Sequence, residues 1–206
     1  MINVLVGIPS GDSVSIAFMR THVAALNLKK DRVYRYNVTG MNAVSARNEI
    51  VAKALEENHS HVFFMDSDMT FPKDCLQTLL DRDKDVVGGF YLRKKGQFLP
   101  NAFELGERNG NLLKTEFVEE LKEVEAVGTG CLLVKTQVFR DIERPWFEYK
   151  CHDHDRGHMS TEDIVFCDKA RGAGYKIWCD GTVKCGHVGS FVVMPASDKR
   201  VDIQPV

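Results

Sequence analysis

Two aspartates stand one residue apart at the end of an apolar run, in His61-Val62-Phe63-Phe64-Met65-Asp66-Ser67-Asp68. A short apolar run bounded by polar turn residues is typical of a buried strand. Paired carboxylates at its end suit a hard divalent cation, because such ions take oxygen ligands and bridge them to substrate phosphates. In open α/β sheets, ligands also bind beyond the carboxyl ends of the strands. Asp66 and Asp68 therefore predict a metal–phosphate site, whereas a lone aspartate here would more simply shape the turn or cap the helix near Pro72.

The elements that must position this pair alternate between strand and helix along the first half of the chain. Asn42 precedes apolar positions that recur at helical spacing, and Pro72 suits a first helical turn. This alternation predicts an α/β fold with a mainly parallel central sheet flanked by helices. The predicted elements are strands at 4–8, 32–36, 61–65 and 85–91, a helix capped by Asp12 or Ser13 and running to about 28, a helix after Asn42, and a helix from Pro72 to about 80.

The second half is less regular and predicts a smaller mixed or antiparallel part. Gly128-Thr129-Gly130 separates two short strands, and Thr136 is a candidate helix cap. Residues 151–158 predict a polar loop beside the site. The other predicted elements are strands at 98–104 and 112–117 around an Asn109-Gly110 turn, a helix from Ser160 to about 171, and a strand at 175–179.

Length and composition suit one globular unit. The 206 residues are 44% hydrophobic and carry a formal net charge of -2, which allows a sizeable core and gives no general attraction to nucleic acid. We expect a single domain over 1–206, with a nucleotide-binding half to about 92, an acceptor and catalytic half over 93–190, and an irregular tail over 191–206. No apolar stretch approaches the roughly 20 residues of a membrane span. We therefore expect a cytoplasmic protein without integral membrane contact.

The cysteines give little support to a structural zinc site, because none of the six forms a Cys-x-x-Cys pair. Several lie within apolar runs, where free cysteine commonly behaves as a small buried hydrophobe. We expect reduced thiols, and a disulfide between Cys179 and Cys185 stays open as an alternative.

Five sequence blocks occur in the order Val6-Gly7-Ile8-Pro9-Ser10, Ser45-Ala46-Arg47-Asn48, Phe63-Phe64-Met65-Asp66-Ser67-Asp68, Gly128-Thr129-Gly130-Cys131-Leu132-Leu133-Val134 and Thr161-Glu162-Asp163. Together they resemble the GT-A-fold glycosyltransferases, a nucleotide-sugar-dependent class with a DxD motif, in a family-2-like form. The resemblance implies a nucleoside-diphosphate sugar as donor, Mn²⁺ or Mg²⁺ as cofactor, and transfer to a hydroxyl. It leaves the acceptor open among a glycan, a lipid-linked sugar, a protein and a nucleic-acid base.

The resemblance also implies roles for single residues. Asp68 would bind the metal directly, Asp66 would reach the ribose or share the metal, and His187 would be a further metal ligand. Neutral imidazole suits Mn²⁺ better than Mg²⁺, which prefers oxygen. The residues implied to bind the nucleotide sugar are Pro9, Ser10, Arg47, Asp66, Ser67, Gly128 and Gly130.

Three of these residues or segments also have a structural explanation. Arg47 could pair with a diphosphate through its planar fork, or lie on a helix surface with a partly buried stem. His187 stands beside glycines, where a lone histidine is more often a plain loop residue. Gly128-Thr129-Gly130 could let backbone approach a sugar, or simply form a turn between strands.

Glu162-Asp163 resembles the acidic pair of the same enzymes, in which the aspartate is the general base of inverting members. Such proton removal is typically worth 10²–10⁴-fold in rate. Glu162 would orient the acceptor or help to hold the loop. The segment from Ser160 to Asp163 is also typical of a helix N-terminus with Ser160 as its cap, so Asp163 is either a base or part of that cap.

These observations predict a metal-dependent glycosyltransferase that inverts the anomeric configuration. A nucleotidyltransferase-type enzyme is the first alternative, although the acidic, glycine-poor loop Ile8-Pro9-Ser10-Gly11-Asp12 counts against it. The second alternative is a non-catalytic nucleotide- or sugar-binding module on the same fold.

Overall fold

The computed structural model describes residues 2–11, 13–28, 32–94, 97–106, 113–153, 158–189, 191–196 and 200–205. The helices are α1 (Ile16–Ala25), α2 (Ala43–Glu56), α3 (Cys75–Asp81), α4 (Thr136–Asp141) and α5 (Glu162–Gly172). The strands are β1 (Asn3–Pro9), β2 (Arg32–Val38), β3 (His61–Met65), β4 (Met69–Thr70), β5 (Val86–Phe90), β6 (Ala102–Phe103), β7 (Leu121–Val124), β8 (Ala126–Val127), β9 (Cys131–Lys135), β10 (Lys150–Asp153), β11 (His158–Ser160), β12 (Ile177–Lys184), β13 (Gly186–Val188), β14 (Phe191–Pro195) and β15 (Val201–Pro205).

The largest sheet has the strand order β2-β1-β3-β9-β5-β12-β7. β1 pairs in parallel with β2 and β3, and β12 pairs in parallel with β5. β9 and β7 are antiparallel to their neighbours. Five of these seven described strands therefore run in one direction, and the predicted α/β class with a mainly parallel sheet is confirmed. Because β9 lies between β3 and β5, the first and second halves of the chain interleave in one sheet.

β3 shows why this sheet needs helices on both faces. Val62 and Phe64 join one buried apolar cluster, Phe63 and Met65 join the other, and all four are fully buried. Successive side chains of a strand point to opposite faces, so a strand buried on both sides has a continuous apolar sequence. The first cluster includes residues of α2, α4 and α5, and the second includes residues of α1 and α3.

α2 begins where the sequence predicts it. The Asn42 side chain accepts a hydrogen bond from the backbone nitrogen of Ser45 at 2.9 Å, which satisfies a donor at the helix start. Ala46 and Ile50 lie four residues apart and are buried in the first cluster. Arg47 belongs to the same helix and is also buried, which is uncommon for arginine unless it is paired.

The end of the chain forms strands, so the predicted irregular tail over 191–206 was wrong. β14 pairs with β13 and β15, and β13 pairs with β4, all antiparallel. Val193 of β14 is fully buried in the first apolar cluster. This second sheet brings the end of the chain to the strand that directly follows the aspartate pair.

Two helix starts in the first half were predicted two to four residues too early. α1 begins at Ile16, and the Ser15 hydroxyl accepts a hydrogen bond from the Phe18 backbone nitrogen at 3.0 Å. Ser13 is therefore not the cap, and Asp12 lies outside the described residues. α3 begins at Cys75 and not at Pro72.

Boundaries in the second half also differ from the prediction. Thr136 is the first residue of α4 and not its cap, and its hydroxyl donates to the His59 carbonyl oxygen at 2.7 Å. Thr161, and not Ser160, holds the N-cap position of α5. The strand predicted at 175–179 is β12, which covers 177–184.

Three further segments of the second half, predicted as two strands and a loop, agree with the structure only in part. Within the segments predicted as strands at 98–104 and 112–117, the described residues form β6 and two isolated bridges, Leu92 with Pro100 and Phe103 with Thr115. The Asn109-Gly110 turn lies outside the described residues. The predicted polar loop over 151–158 contributes to the antiparallel pair β10–β11 on both sides of residues 154–157, which are not described.

Two general expectations concern the thiols and the membrane. Cys179 and Cys185 are free and buried, as the expectation of reduced thiols requires. Among the helices of the described ranges, none is both long and apolar enough to cross a bilayer.

Candidate active site

The predicted nucleoside-binding residues lie at the same edge of the sheet as the aspartate pair. In the parallel pairing of β1 with β3, Gly7 lies opposite Phe64. Two residues further on, Pro9 is therefore level with Asp66, at the carboxyl ends of both strands. Ser10 follows directly on this edge. The topology thus brings the first block of the sequence next to the DxD motif, as expected for a ligand site of an α/β sheet.

A tight turn separates the two aspartates. The Asp66 backbone nitrogen donates to the Gly130 carbonyl oxygen at 3.0 Å, which joins the end of β3 to the start of β9. The Met69 nitrogen then donates to the Asp66 carbonyl oxygen at 3.2 Å. Ser67 lies within this turn, between Asp66 and Asp68. The turn allows the two carboxylates to meet different partners.

His187 reaches Asp68 through the pairing of β4 with β13. Met69 lies opposite His187 in this pair, and the Val188 nitrogen donates to the Asp68 carbonyl oxygen at 2.7 Å. His187 Nε2 consequently lies 3.5 Å from Asp68 Oδ2. The late histidine is therefore a direct neighbour of the motif and not a residue of a distant loop.

Asp68 is a partly exposed carboxylate that faces two basic side chains. Lys94 Nζ donates to Asp68 Oδ2, and also to the Val188 carbonyl oxygen at 3.1 Å. Burial would raise the pKa of Asp68, but the hydrogen bonds and charges of His187 and Lys94 prevail and lower this pKa to about 2. The Asp68 carboxylate is therefore anionic at neutral pH.

The orientation of His187 leaves one ring nitrogen facing the site. Its Nδ1 lies 3.2 Å from the Leu92 carbonyl oxygen, which can only accept, so Nδ1 carries the hydrogen. Nε2 is then the ring nitrogen that faces an oxygen of Asp68, and it can offer its lone pair to a cation in place of that contact. A carbonyl partner on the second ring nitrogen is the usual arrangement of a metal-binding histidine. Asp68 and His187 thus fit a divalent cation, which would compete with the Lys94 ammonium for the same oxygen.

Arg47 joins the two acidic motifs. Its Nη2 donates to both carboxylate oxygens of Asp66, at 3.0 and 3.1 Å, and its Nη1 donates to Glu162 Oε1. Only 4% of the Arg47 side chain is exposed. Burial would lower the pKa of Arg47, but the charges of Asp66, Glu162 and Asp163 prevail and raise it. Arg47 therefore holds two carboxylates in place, with both of its terminal nitrogens occupied.

Asp163 lies in the first turn of α5. Its Oδ1 accepts hydrogen bonds from the Ile164 backbone nitrogen at 2.9 Å and from the Thr161 hydroxyl. These contacts stabilise the helix start, where the helix dipole also favours an anion. They do not form the predicted capping arrangement on Ser160, and among the described residues these hydrogen bonds of Asp163 involve Oδ1 alone. A chemical role at the other oxygen is compatible with them.

A cavity of about 340 Å³ lies beside Asp163. Arg93 brings a positive charge to it, and Gly128 contributes backbone. Its volume is at the lower end for a small-molecule site. The lining residues are Tyr91, Arg93, Asn101, Phe103, Leu113, Gly128, Ser160, Thr161, Asp163 and Ile164.

Sequence reasoning missed Tyr91, which connects the parts of the site. Its buried hydroxyl accepts a hydrogen bond from the Gly130 nitrogen at 3.1 Å, and its ring meets His187 edge-on at 5.6 Å between centroids. A Cβ at Gly128 would lie 2.3 Å from this hydroxyl, and one at Gly130 would lie 3.0 Å from it. The two glycines therefore make room for Tyr91. Burial raises the pKa of Tyr91, so its hydroxyl stays protonated.

Comparisons with known proteins agree with this architecture. The Anp1 family model matches residues 30–100, which is less than half of the chain and includes Arg47, Asp66 and Asp68. The crystal structure of A197 from STIV matches with a TM-score of 0.64 and 18% identity, over 100% of this chain and 95% of that one. No curated protein shows a significant match in sequence.

A glycosyltransferase structure also matches. GalNAc-T7, in a crystal structure with UDP, GalNAc and Mn²⁺, has a TM-score of 0.60 and 11% identity over 92% of this chain. The fold is GT-A-like. The chain spans 44% of the GalNAc-T7 chain, and at this identity the similarity concerns the fold alone.

Proposed function

We propose that the chain is a metal-dependent glycosyltransferase that moves a sugar from a nucleoside-diphosphate sugar to an acceptor hydroxyl. The observation that carries this proposal is the facing pair of potential metal ligands, Asp68 Oδ2 and His187 Nε2, 3.5 Å apart on a GT-A-like fold. The match of residues 30–100 to the Anp1 family and the likeness to GalNAc-T7 support it. The family-2-like assignment and a cytoplasmic location stay predictions.

Asp68 and His187 would hold the cation. A mixed oxygen and imidazole pair suits Mn²⁺ better than Mg²⁺. When bound, the ion would neutralise charge on the departing diphosphate. Asp66 is the better candidate for the donor ribose, because Arg47 already pairs with both of its oxygens.

The other predicted donor contacts follow the edge of the sheet. Pro9 and Ser10 would line the nucleoside, and Ser67 would meet the phosphates at the turn. Gly128 and Gly130 would allow the sugar to approach backbone beside Tyr91. We assign Arg47 a positioning role instead of a diphosphate contact, because its guanidinium is buried and pairs with Asp66 and Glu162.

Asp163 would be the general base. The acceptor oxygen would attack the anomeric carbon in line, its proton would pass to Asp163, and the bond from that carbon to the diphosphate would break. Such a single displacement inverts the anomeric configuration. Glu162 would hold the start of α5 through Arg47, so that Asp163 stays at the cavity. NMR of the product tests this step, and retention of configuration would exclude Asp163 as base of a single displacement.

The experiment that tests the function is a panel of nucleotide sugars incubated with the protein and Mn²⁺, with release of free nucleoside diphosphate as the signal. We expect metal-dependent release from one donor, abolished in Asp68→Ala. Asp202→Ala is the matched control, because Asp202 is an exposed aspartate on β15. Candidate acceptors of the four chemical kinds are then added to the donor that reacts.

Two results would contradict the proposal. Metal-dependent nucleotide binding without turnover, with any acceptor of the panel, would indicate a non-catalytic module. Formation of a new nucleotide sugar from sugar phosphate and nucleoside triphosphate would indicate a nucleotidyltransferase. Equal release by wild type and Asp68→Ala would also remove the metal role of this residue.

A further inference from the structure

Three cysteines from separate parts of the chain meet beneath the candidate active site. Cys75 starts α3, Cys131 starts β9, and Cys185 connects β12 to β13. Their sulfur atoms all lie within 4.8 Å of one another, and the Sγ atoms of Cys75 and Cys131 are 3.6 Å apart. Because the three residues are far apart in sequence, short-range cysteine spacing gave no sign of this cluster.

The three-cysteine cluster lies in an apolar part of the core that contains a further sulfur atom. All three residues are fully buried in the second apolar cluster. Met65, directly opposite Cys131 in the β3–β9 pair, brings a thioether sulfur to the same core. A Cβ at Gly89 would lie 2.9 Å from the Cys131 sulfur. The glycine thus allows β5 to approach this thiol closely.

The other two buried cysteines provide a contrast within the same protein. Cys167 donates from its thiol to the Val127 carbonyl oxygen at 3.7 Å, and it belongs to the first apolar cluster together with Cys179. Neither belongs to a described group of potential metal ligands. These two are small core residues, whereas Cys75, Cys131 and Cys185 present three sulfur atoms to one point.

We propose that Cys75, Cys131 and Cys185 form a three-thiolate site for a soft metal ion, Cu⁺. Soft thiolate ligands favour Cu⁺, Zn²⁺ and iron–sulfur clusters, and iron–sulfur clusters are held by four ligands. A metal–sulfur bond of about 2.3 Å in a trigonal arrangement puts sulfur atoms roughly 4 Å apart, which the observed separations match. Structural Zn²⁺ takes four ligands almost always, and within the described residues this group contains three.

The thiols of the cluster are close enough to interact directly. The Sγ atoms of Cys75 and Cys131 are in hydrogen-bond contact at 3.6 Å, and either can be the donor. Each cysteine that binds the ion releases its proton. Metal–sulfur bonds therefore replace the contacts between thiols as the ion binds.

The cluster is connected to the candidate active site through the backbone. Cys131 follows Gly130, whose carbonyl accepts from Asp66, and Cys185 lies two residues before His187. A bound ion would link α3, β9 and the residue before β13 next to the segments that carry Asp66 and His187. Metal binding by these three cysteines is independent of whether the protein transfers sugar.

The test is a Cu⁺ titration without oxygen, in competition with a Cu⁺ chelator of known affinity. All proteins carry Cys151→Ala, which removes the exposed thiol. Because the cluster is closed, each protein is loaded both in its native state and by refolding in the presence of Cu⁺. We expect one ion per chain, and a loss of affinity of at least about 100-fold in Cys131→Ala and Cys185→Ala, a loss that even an outer-shell change can cause. Cys167→Ala and Cys179→Ala should bind like the parent.

X-ray absorption on the loaded parent protein keeps the test independent of how the variants fold. We expect three sulfur neighbours around copper. No ion retained after either loading, an equal loss in Cys167→Ala, or a copper coordinated by fewer than three sulfur atoms would overturn the proposal.

Discussion

Each acidic motif has one carboxylate tied to Arg47 and one that is open to a ligand. Asp66 is paired with Arg47 through both oxygens, whereas Asp68 is 44% exposed and meets Lys94 and His187. Glu162 likewise binds Arg47, whereas its neighbour Asp163 borders the cavity. The two kinds of carboxylate therefore have different roles. Asp66 and Glu162 bind the buried Arg47 and fix the position of the two motifs, whereas Asp68 and Asp163 can contact a ligand.

The two kinds of carboxylate should respond differently to mutation. Removing one partner of a buried ion pair leaves an uncompensated charge, which is strongly destabilising. A half-exposed pair contributes little to stability because water and salt replace its partner. Substitutions at Arg47 or Asp66 should therefore lower the free energy of unfolding. Substitutions at Asp68 or Asp163 should instead affect metal binding or turnover.

The largest expected effect is on turnover, in Asp163→Asn. Loss of a general base typically lowers kcat by about 10²–10⁴-fold. Stability should fall by less than about 1 kcal/mol, the usual size of a charge effect at a helix N-terminus. Steady-state kinetics with the reacting donor, and urea unfolding of the same samples, measure both. An unchanged kcat would assign Asp163 to the helix start alone.

Arg47→Met should cause the largest loss of stability. The substitution leaves Asp66 and Glu162 without their buried partner, and about 3–5 kcal/mol is expected. Denaturant unfolding gives the value, and Arg140→Met, at an exposed arginine of α4, should stay within about 0.5 kcal/mol. A loss for Arg47→Met as small as that of the control would mean that this arginine does not hold the motifs.

The two aspartates of the DxD motif can be compared directly. Asp66→Asn weakens a charged hydrogen bond to a buried arginine and should cost about 1.5–3 kcal/mol. Asp68→Asn changes a partly exposed pair and should cost less than about 1 kcal/mol. Thermal and urea unfolding in metal-free buffer measure the difference. A larger loss of stability in Asp68→Asn would mean that Asp68, and not Asp66, is the aspartate that stabilises the fold.

The smallest predicted effect is that of Lys94→Met on metal binding. Because Lys94 shares Asp68 Oδ2 with the proposed cation, its removal should tighten Mn²⁺ binding severalfold, about 1 kcal/mol or less for such an exposed pair. Calorimetry without nucleotide measures the change. Weaker Mn²⁺ binding in the variant would show that Lys94 supports the cation site instead of competing with it.

Local sequence patterns were sufficient to predict β3, the turn that follows it and the start of α2. The apolar run 61–65 ending in Asp66 predicted β3 and its turn, and Asn42 predicted the start of α2. α3 was misplaced because Pro72 suggested a first turn, whereas the backbone at Asp74 is left-handed, with φ of 57°, and the helix starts after it. The tail was missed although Phe191-Val192-Val193-Met194 is an apolar run typical of a strand.

Long-range partners could not be predicted from one sequence. The contact of Arg47 with Glu162 joins residues 115 positions apart, and no local spacing encodes it. Tyr91 and Lys94 follow β5 without forming a motif, so only the folded sheet shows that they face His187 and Asp68. The meeting of three cysteines under the site has the same cause.

The most direct test of the account is Mn²⁺ binding by calorimetry, with and without a nucleoside diphosphate. Wild type, Asp68→Ala, His187→Ala and the control Asp202→Ala are compared. We predict one Mn²⁺ site per chain that weakens by at least about tenfold in Asp68→Ala and in His187→Ala, and that is unchanged in Asp202→Ala. Equal binding by all four proteins would contradict the assignment of Asp68 and His187 as the cation site.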